Sequence, residues 1–364
     1  MEDVNGTEVI LEIPRYPRGA TVFAAVCCVI FIIIGLLGNF LTILALCRSV
    51  KLRNATTAFV ISLCTTDFLF CAINLPLTAS RYIHQAWLLG ETMCSLFPFF
   101  FYGNVGASLL SMTMITINRL ILINHYNLYD RIYKKRYVAL MIAFSWIFSF
   151  SMLTPTLARA WGEFGLNDET FSCTILRRNG HSPKKFLFII GFLVPCVVII
   201  VSYSCIFYKV RHSRRNIEAH SPTSQTTPST ITRQNTQRND EIRLTRMMLI
   251  IFCSFILCFL PLMVVNVFDS RIRYPTIHVL ASVLAWMSSC INPFIYAVMN
   301  RHYRQAYYRL LCSKVRHHTP STGSSLNRSQ NSCLAGASKT VVSEIFVFPT
   351  KVKPERNDKE ENAV

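Results

Sequence analysis

Acidic side chains are scarce in this chain: Asp and Glu number 19 against 37 Lys and Arg, a formal net charge of +18. In a soluble protein that excess would point to nucleic acid. Here the basic residues gather in short segments between long apolar stretches, and no nucleic-acid partner is expected. Metal-ligand spacing is missing among the 14 cysteines and 9 histidines, as is a His/Asp/Glu cluster or a nucleophile with a base at helical spacing, which argues against a membrane enzyme. No internal repeat is visible, although many transporter folds carry one, so a transporter or channel is only the second reading. The short apolar core and cleavage site of a signal peptide are absent from the first apolar stretch, which therefore reads as a retained span.

Long apolar runs are what the chain does have. It is 52% hydrophobic, with a mean hydropathy of +0.36. The apolar residues fall in seven blocks, 21–47, 56–81, 91–124, 137–157, 184–210, 241–268 and 276–299. Each is long enough to cross a hydrocarbon core of ~30 Å. Basic residues follow the odd-numbered spans: Arg48, Lys51 and Arg53; Arg131, Lys134, Lys135 and Arg136; Lys209, Arg211, Arg214 and Arg215; Arg301, Arg304 and Arg309. The positive-inside rule then puts the N-terminus outside and the C-terminus inside, and the expected location is the plasma membrane, multi-pass, with the N-terminus extracellular. The loop between spans 4 and 5 disagrees, carrying Arg159, Arg177, Arg178, Lys184 and Lys185, but the remaining loops outweigh it.

Three regions are expected: an outer tail over 1–20, a seven-span domain with a surface helix over 21–312, and a disordered inner tail over 313–364. Asn5-Gly6-Thr7 is a glycosylation acceptor on the outer side, whereas Asn54-Ala55-Thr56 and Asn327-Arg328-Ser329 fall inside and read as chance matches. The polar segment 212–240 reads as a flexible inner loop. Past the last span, Tyr303, Ala306, Tyr307, Leu310 and Leu311 share one face of an amphipathic helix suited to the inner membrane surface. Cys312 at its end could carry a palmitate or remain a free thiol. Most other cysteines lie within spans as small apolar residues. Cys94 and Cys173 face an oxidising outer compartment and are expected to pair, two free thiols being the alternative. Hydroxyls of the tail, among them Thr319 and Ser332, are candidate phosphorylation sites.

Polar groups inside spans are costly and default to function. Asp67 is the acid deep in span 2, with Asn39, Asn104, Ser108, Ser288, Ser289 and Asn292 as companions. Asn104, Ser108, Met112, Ile115 and Arg119 share one helix face. A carboxylate with oxygen-bearing neighbours at Asp67, Asn104, Ser108 and Ser289 could hold a sodium ion, the only cofactor expected, or form a structural hydrogen-bond knot. Arg119 lies at the inner edge of span 3, where a guanidinium needs an acceptor. Glu241, at the inner start of span 6, is the best partner, and the pair would clamp spans 3 and 6. Pro261 should kink span 6, with Phe259 beside it as a rotating toggle or a plain core aromatic. In span 7, Asn292-Pro293-Phe294-Ile295-Tyr296 removes a backbone donor and places an asparagine to satisfy the freed carbonyls. That is the chemistry of a helix built to change shape.

Nearer the outer side, Phe97, Phe101 and Val105 step by four along span 3, and Tyr102, Met263, Asn266, His278, Ser282 and Trp286 lie at comparable depth. Together with Phe259 they suggest a mostly apolar pocket with few polar anchors. Arg177, four residues past Cys173, would be tethered over it and could meet a ligand carboxylate or phosphate.

These residues in this order resemble the rhodopsin-like (class A) G-protein-coupled receptors: Gly38-Asn39, Leu63 with Asp67, Trp87 and Gly90 before Cys94, Asn118-Arg119-Leu120, Trp146, Pro195 and Tyr203, Cys258-Phe259-Leu260-Pro261, and Asn292 to Tyr296. Within that class the Asn-Arg pair and span 6 are similar to the melatonin receptors, and more so to the invertebrate Moody and trapped-in-endoderm orphan receptors, which act in cell migration and epithelial barriers. The resemblance implies an all-α membrane protein, a seven-transmembrane helix bundle with a short amphipathic inner-surface helix. It implies a small-molecule or lipid ligand bound from outside, an outward swing of span 6, and coupling to a heterotrimeric G protein through Asn118, Arg119, Tyr203, Glu241, Pro261, Asn292, Pro293 and Tyr296. A receptor kinase and arrestin would follow. Asn118 stands where the class carries Asp and Leu120 where it carries Tyr, so the usual neighbour restraint on Arg119 is missing and raised basal activity is expected. Phe259 replaces the usual Trp. Phe101 replaces the Asp of amine receptors, which argues against an amine ligand. With no lysine in span 7, a retinal Schiff base is excluded.

Overall fold

The computed structural model describes residues 16–168, 170–219, 228–268 and 273–316. Seven helices long and apolar enough to cross a membrane run in succession: α1 (Arg18–Arg48), α2 (Ala55–His84), α3 (Gly90–Asn124), α4 (Lys135–Leu157), α5 (Lys184–His212), α6 (Asp240–Asn266) and α7 (Pro275–Met299). An eighth helix, α8 (Arg301–Arg316), follows at once. The face that carries the N-terminus is called outer below and the face that carries α8 inner. Asn5 and the tail hydroxyls lie outside the described residues, and so does the side chain of Cys312.

The membrane explains why these helices look inside-out. Large apolar side chains on their outer surfaces are exposed, including Leu37 and Phe40 on α1, Phe144 and Ile147 on α4, Ile200 and Val201 on α5, and Leu257 on α6. Water would penalise such a belt, whereas hydrocarbon accepts it and leaves every backbone polar group to be satisfied within the helix. The polar residues are gathered instead at the centre. More than half of the central stretch is buried in α2, α3 and α7, and a third or less in α1, α4, α5 and α6. Helix α3 is the axis of the bundle, packing on α2, α4, α5 and α6.

Prolines shape the rods. Pro98, Pro261 and Pro293 lie inside α3, α6 and α7. Two further prolines coincide with widened turns. A π-helical turn over Phe70–Asn74 precedes Pro76, and another over Ile189–Leu193 precedes Pro195. A proline ring clashes with the carbonyl four residues back, and an extra residue in the preceding turn relieves that clash. Close helix approach rests on two glycines. A Cβ on Gly103 would collide with the Phe150 ring of α4, and one on Gly35 with Cys71 Sγ in α2.

Between α4 and α5 lies an antiparallel hairpin, β1 (Glu163–Asn167) with β2 (Ser172–Leu176), in which Leu166 faces Cys173. Cys173 is disulfide-bonded to Cys94 at the outer end of α3. On the inner side, Asn300 terminates α7 and caps α8, its Oδ1 accepting from the His302 and Tyr303 amides at 2.9 and 3.3 Å. Tyr303, Ala306 and Leu310 of α8 are buried, the latter two against Ala45 of α1, while Leu311 is exposed rather than sharing their buried face. The polar segment 212–240 is helical at both ends. The α5 helix continues to Ala219, and the helix containing α6 begins at Pro228. Neither extension carries an interior glycine or proline, and a proline suits a helix's first turn.

Candidate functional site

At mid-depth, Asp67 on α2 is buried. Asn292 Nδ2 of α7 donates to its Oδ2 at 2.7 Å, and Ser108 Oγ of α3 donates to its Oδ1 at 3.3 Å. Thr66 Oγ1 shares a hydrogen bond of 2.7 Å with Ser108. Asn39 of α1 closes the knot, its Nδ2 donating to the Gly35 and Ser289 carbonyls at 2.9 and 3.0 Å. A small internal cavity opens beside this cluster, lined by Asp67, Asn104, Ser108, Ser289, Asn292 and, on its outer side, Val105 and Phe259. Asn104 Oδ1 is buried here with no hydrogen-bond partner among the described residues. The donors are oxygens only: a carboxylate, two hydroxyls and an amide carbonyl. Such a set fits a hard cation, and among the described residues the Asn104 amide oxygen is left without a partner, as is Asn39 Oδ1 in the same knot.

Further inward, Arg119 on α3 is almost fully buried and forms an ion pair with Glu241 of α6, whose side chain is 44% exposed. Arg119 also donates to Thr56 Oγ1, and Thr56 in turn donates to Asn118 Oδ1 at 2.7 Å. Asn118 Nδ2 reaches the Tyr129 hydroxyl at 3.3 Å in a short inner-loop helix, Tyr126–Ile132. The neutral amide of Asn118 therefore hands its acceptor to Thr56 and its donor to the loop, where an aspartate would compete for Arg119. Tyr129 stacks near Tyr133, whose hydroxyl is pushed up to about 12 by burial and stays neutral at physiological pH.

A second acid sits next to Glu241. Asp240 accepts from Arg301 Nη2 at 2.6 Å and contacts His302 Nε2 at 3.1 Å, tying the inner end of α6 to the start of α8. Tyr296 at the foot of α7 is fully buried, its ring edge-on to Tyr303 at 5.7 Å. Tyr203 on α5 is buried in the same inner core, beside Met247 and Ile251 of α6.

The outer residues fare differently. Phe97 is buried beneath the disulfide against Trp87, 5.4 Å between centroids. Trp286 packs on Tyr82 at 5.7 Å, in the seam of α1, α2 and α7. His278 is buried, Met263 and Ser282 half-buried, and Asn266 and Arg177 exposed. Phe101 packs on Phe70 of α2, 5.3 Å between centroids, and the Tyr102 hydroxyl meets Thr174 Oγ1 of β2 at 3.1 Å. Of the eleven outer residues expected to line one pocket, only Val105 and Phe259 border the enclosed cavity, which lies deeper than expected. Phe259 stacks on Phe255 at 4.4 Å. Helix depth can be read from sequence, but rotation about the helix axis cannot, and rotation turns Trp286 and Phe97 into packing.

Two participants escape a reading of the sequence. Thr56 belongs to a sequon that reads as a chance match. The same tripeptide holds the N-cap of α2, Asn54 Oδ1 accepting from the Thr57 amide at 2.8 Å. Asp240 is overshadowed by Glu241, although two adjacent acids at the inner start of a span are a visible signal.

The arrangement is matched by known proteins. The model of the "7 transmembrane receptor (rhodopsin family)" matches residues 38–296. This chain belongs to that family. It is 50% identical over 308 residues to Protein trapped in endoderm-1 of Drosophila melanogaster, covering 81% of this chain and 79% of that one. To the G-protein coupled receptor moody of the same fly it is 37% identical over 344 residues, covering 80% of this chain but about half (51%) of that longer relative. Melatonin receptor type 1B-B of Danio rerio is more distant, at 28% over 286 residues. Squid rhodopsin shares the fold, with a TM-score of 0.69 at 22% identity, covering 85% of this chain and 90% of its own. As a rhodopsin-family receptor the chain is a multi-pass membrane protein of a family of receptors, not of enzymes.

Proposed function

We propose that this receptor sits in the plasma membrane with its N-terminus outside, binds a small and mostly apolar extracellular ligand, and activates a heterotrimeric G protein. The observation that carries the reading is the ion pair between Arg119 and Glu241, which joins the inner ends of α3 and α6. Ligand binding in the outer half would favour a bundle in which α6 has left α3, freeing Arg119 for the G protein. The Asp67 knot, linking α1, α2, α3 and α7, is the element that relays the change, and a sodium ion held by Asp67, Asn104, Ser108 and Ser289 would favour the resting arrangement. A ligand shifts such an equilibrium only by its difference in affinity for the two states.

Phosphorylation of the inner tail by a receptor kinase, followed by arrestin, would end the signal, and roles in cell migration or epithelial barriers follow from the resemblance to the fly receptors. A transporter or channel is not favoured, since the family is one of receptors. Guanine-nucleotide exchange in membranes bearing the native chain or Arg119→Ala tests the mechanism. The substitution is expected to abolish exchange while surface expression persists, and unchanged exchange would remove Arg119 from the mechanism.

A further inference from the structure

Arg81 brings a permanent positive charge to the outer end of α2, and no acid among the described residues meets it. Its guanidinium lies over the Tyr82 ring, 4.5 Å from the centroid. Nη1 donates to the Thr170 carbonyl in the hairpin turn and Nη2 to the Tyr82 hydroxyl, each at 3.3 Å. Both distances are long for a charge-assisted bond, which runs at about 2.7–2.9 Å, and both acceptors are neutral. Nε is buried with no hydrogen-bond partner among the described residues.

Three arginines of the loop between α4 and α5 differ. Arg159 is paired with Glu91, Arg178 donates to the Arg159 carbonyl, and Arg177 is exposed to solvent. Arg81 alone of these four is half-buried, and no acidic side chain among the described residues pairs with it. A guanidinium partly withdrawn from water, with the Nε of one edge unpartnered, is costly unless something else completes it. That edge, Nε with Nη2, is the fork that accepts a carboxylate or phosphate in two parallel hydrogen bonds. The guanidinium lies on the Tyr82 ring, which itself packs against Trp286 of α7. It therefore faces the bundle, where an apolar ligand body would lie.

We propose that Arg81 is the anion anchor of the outer ligand site. The ligand it fits is an acidic amphiphile, whose carboxylate or phosphate takes the Nε–Nη2 edge while its apolar body runs toward Phe101 and Tyr102. Thr170 holds Nη1, so the hairpin turn closes against the same side chain that grips the headgroup. This rests on the receptor reading only in taking the outer half of the bundle as the ligand side.

The test uses the full chain, purified in lipid nanodiscs, and three water-soluble probes of one chain length: octanoate, octyl phosphate and octan-1-ol. Saturable binding is expected for octanoate or octyl phosphate, at least ten-fold tighter than for octan-1-ol, and the better of the two anions identifies the headgroup. Arg81→Gln should weaken that anion at least ten-fold, with Arg81→Lys, which keeps the charge but loses the fork, falling between. The Lys variant decides the matter if the Gln variant does not fold. The proposal is overturned if neither anion binds, if octan-1-ol binds equally well, if the folded Arg81 variants bind as the native chain does, or if Arg177→Gln loses as much as Arg81→Gln. It is also overturned if Glu169→Gln and Arg81→Gln lower the probe-free melting temperature equally, since the neighbouring acid would then already hold the cation. Binding is read without G protein. Failure here with ligand-free nucleotide exchange intact removes the anion site alone, and the converse removes the coupling mechanism alone.

Discussion

Asn292 donates a 2.7 Å hydrogen bond to Asp67, joining α7 to α2 across 225 residues of sequence. The residue after Asn292 is Pro293, so the helix turn that lacks a backbone donor is the same turn that grips the buried acid. A movement of the inner half of α7 must therefore stretch or break the bond at Asp67. That coupling puts a fixed chemical group at the hinge and makes the relay open to test.

Sodium is the first test. If the oxygen cluster holds the ion, raising sodium at constant ionic strength should lower ligand-free nucleotide exchange in the native receptor and leave Asp67→Asn unaffected. An equal response in both would make Asp67 a structural group.

Loss of the clamp between α3 and α6 should appear as basal activity. Glu241 is nearly half exposed, so the pair is screened and is worth about 0.5–1 kcal/mol. Glu241→Ala should thus raise ligand-free exchange by about two- to five-fold. A fall, or no change, would show that Arg119 is restrained by Thr56 instead.

Asp240 offers an independent restraint, because its partners are on α8 rather than α3. Asp240→Asn should raise ligand-free exchange by a similar factor. If the two restraints act separately, the double variant with Glu241→Ala should show the product of the two effects. An effect of Asp240→Asn that disappears in the Glu241→Ala background would mean that the two acids act as one restraint.

Packing between α3 and α4 can be probed at Gly103. A methyl group there would collide with the Phe150 ring. Gly103→Ala should destabilise the detergent-solubilised receptor by about 1–3 kcal/mol, seen as a lower midpoint in thermal unfolding. Gly103→Ala combined with Phe150→Leu should recover part of the loss, and an unchanged midpoint in Gly103→Ala would show that the helices separate at no cost.

Several features are legible in the amino-acid sequence alone. The seven spans, the disulfide partners and the pairing of Arg119 with Glu241 all follow from depth, sidedness and charge. Depth also groups Asp67 with Ser108 and Asn292. The outer pocket is legible only as a band of depth, and the structure turns Phe97 and Trp286 into core packing while leaving Arg177 in solvent. Arg81 gives no signal because it closes an apolar stretch, where an arginine ordinarily snorkels to the headgroups. Thr56 is hidden because a hydroxyl in a helix carries no charge and no periodic signal.

By itself the sequence determined how many rods are long and apolar enough to cross the membrane and which polar groups lie at each depth, and its charge pattern proposes which ends face which side. Hydrocarbon allows a long apolar run only one backbone solution, and charge sets its direction. Only the tertiary structure decided which of those groups meet, because each rod can turn about its own axis until side-chain packing stops it. The widened turns before Pro76 and Pro195, the hand-over of Asn118 to Thr56, and the unpartnered Nε of Arg81 all depend on where that rotation came to rest.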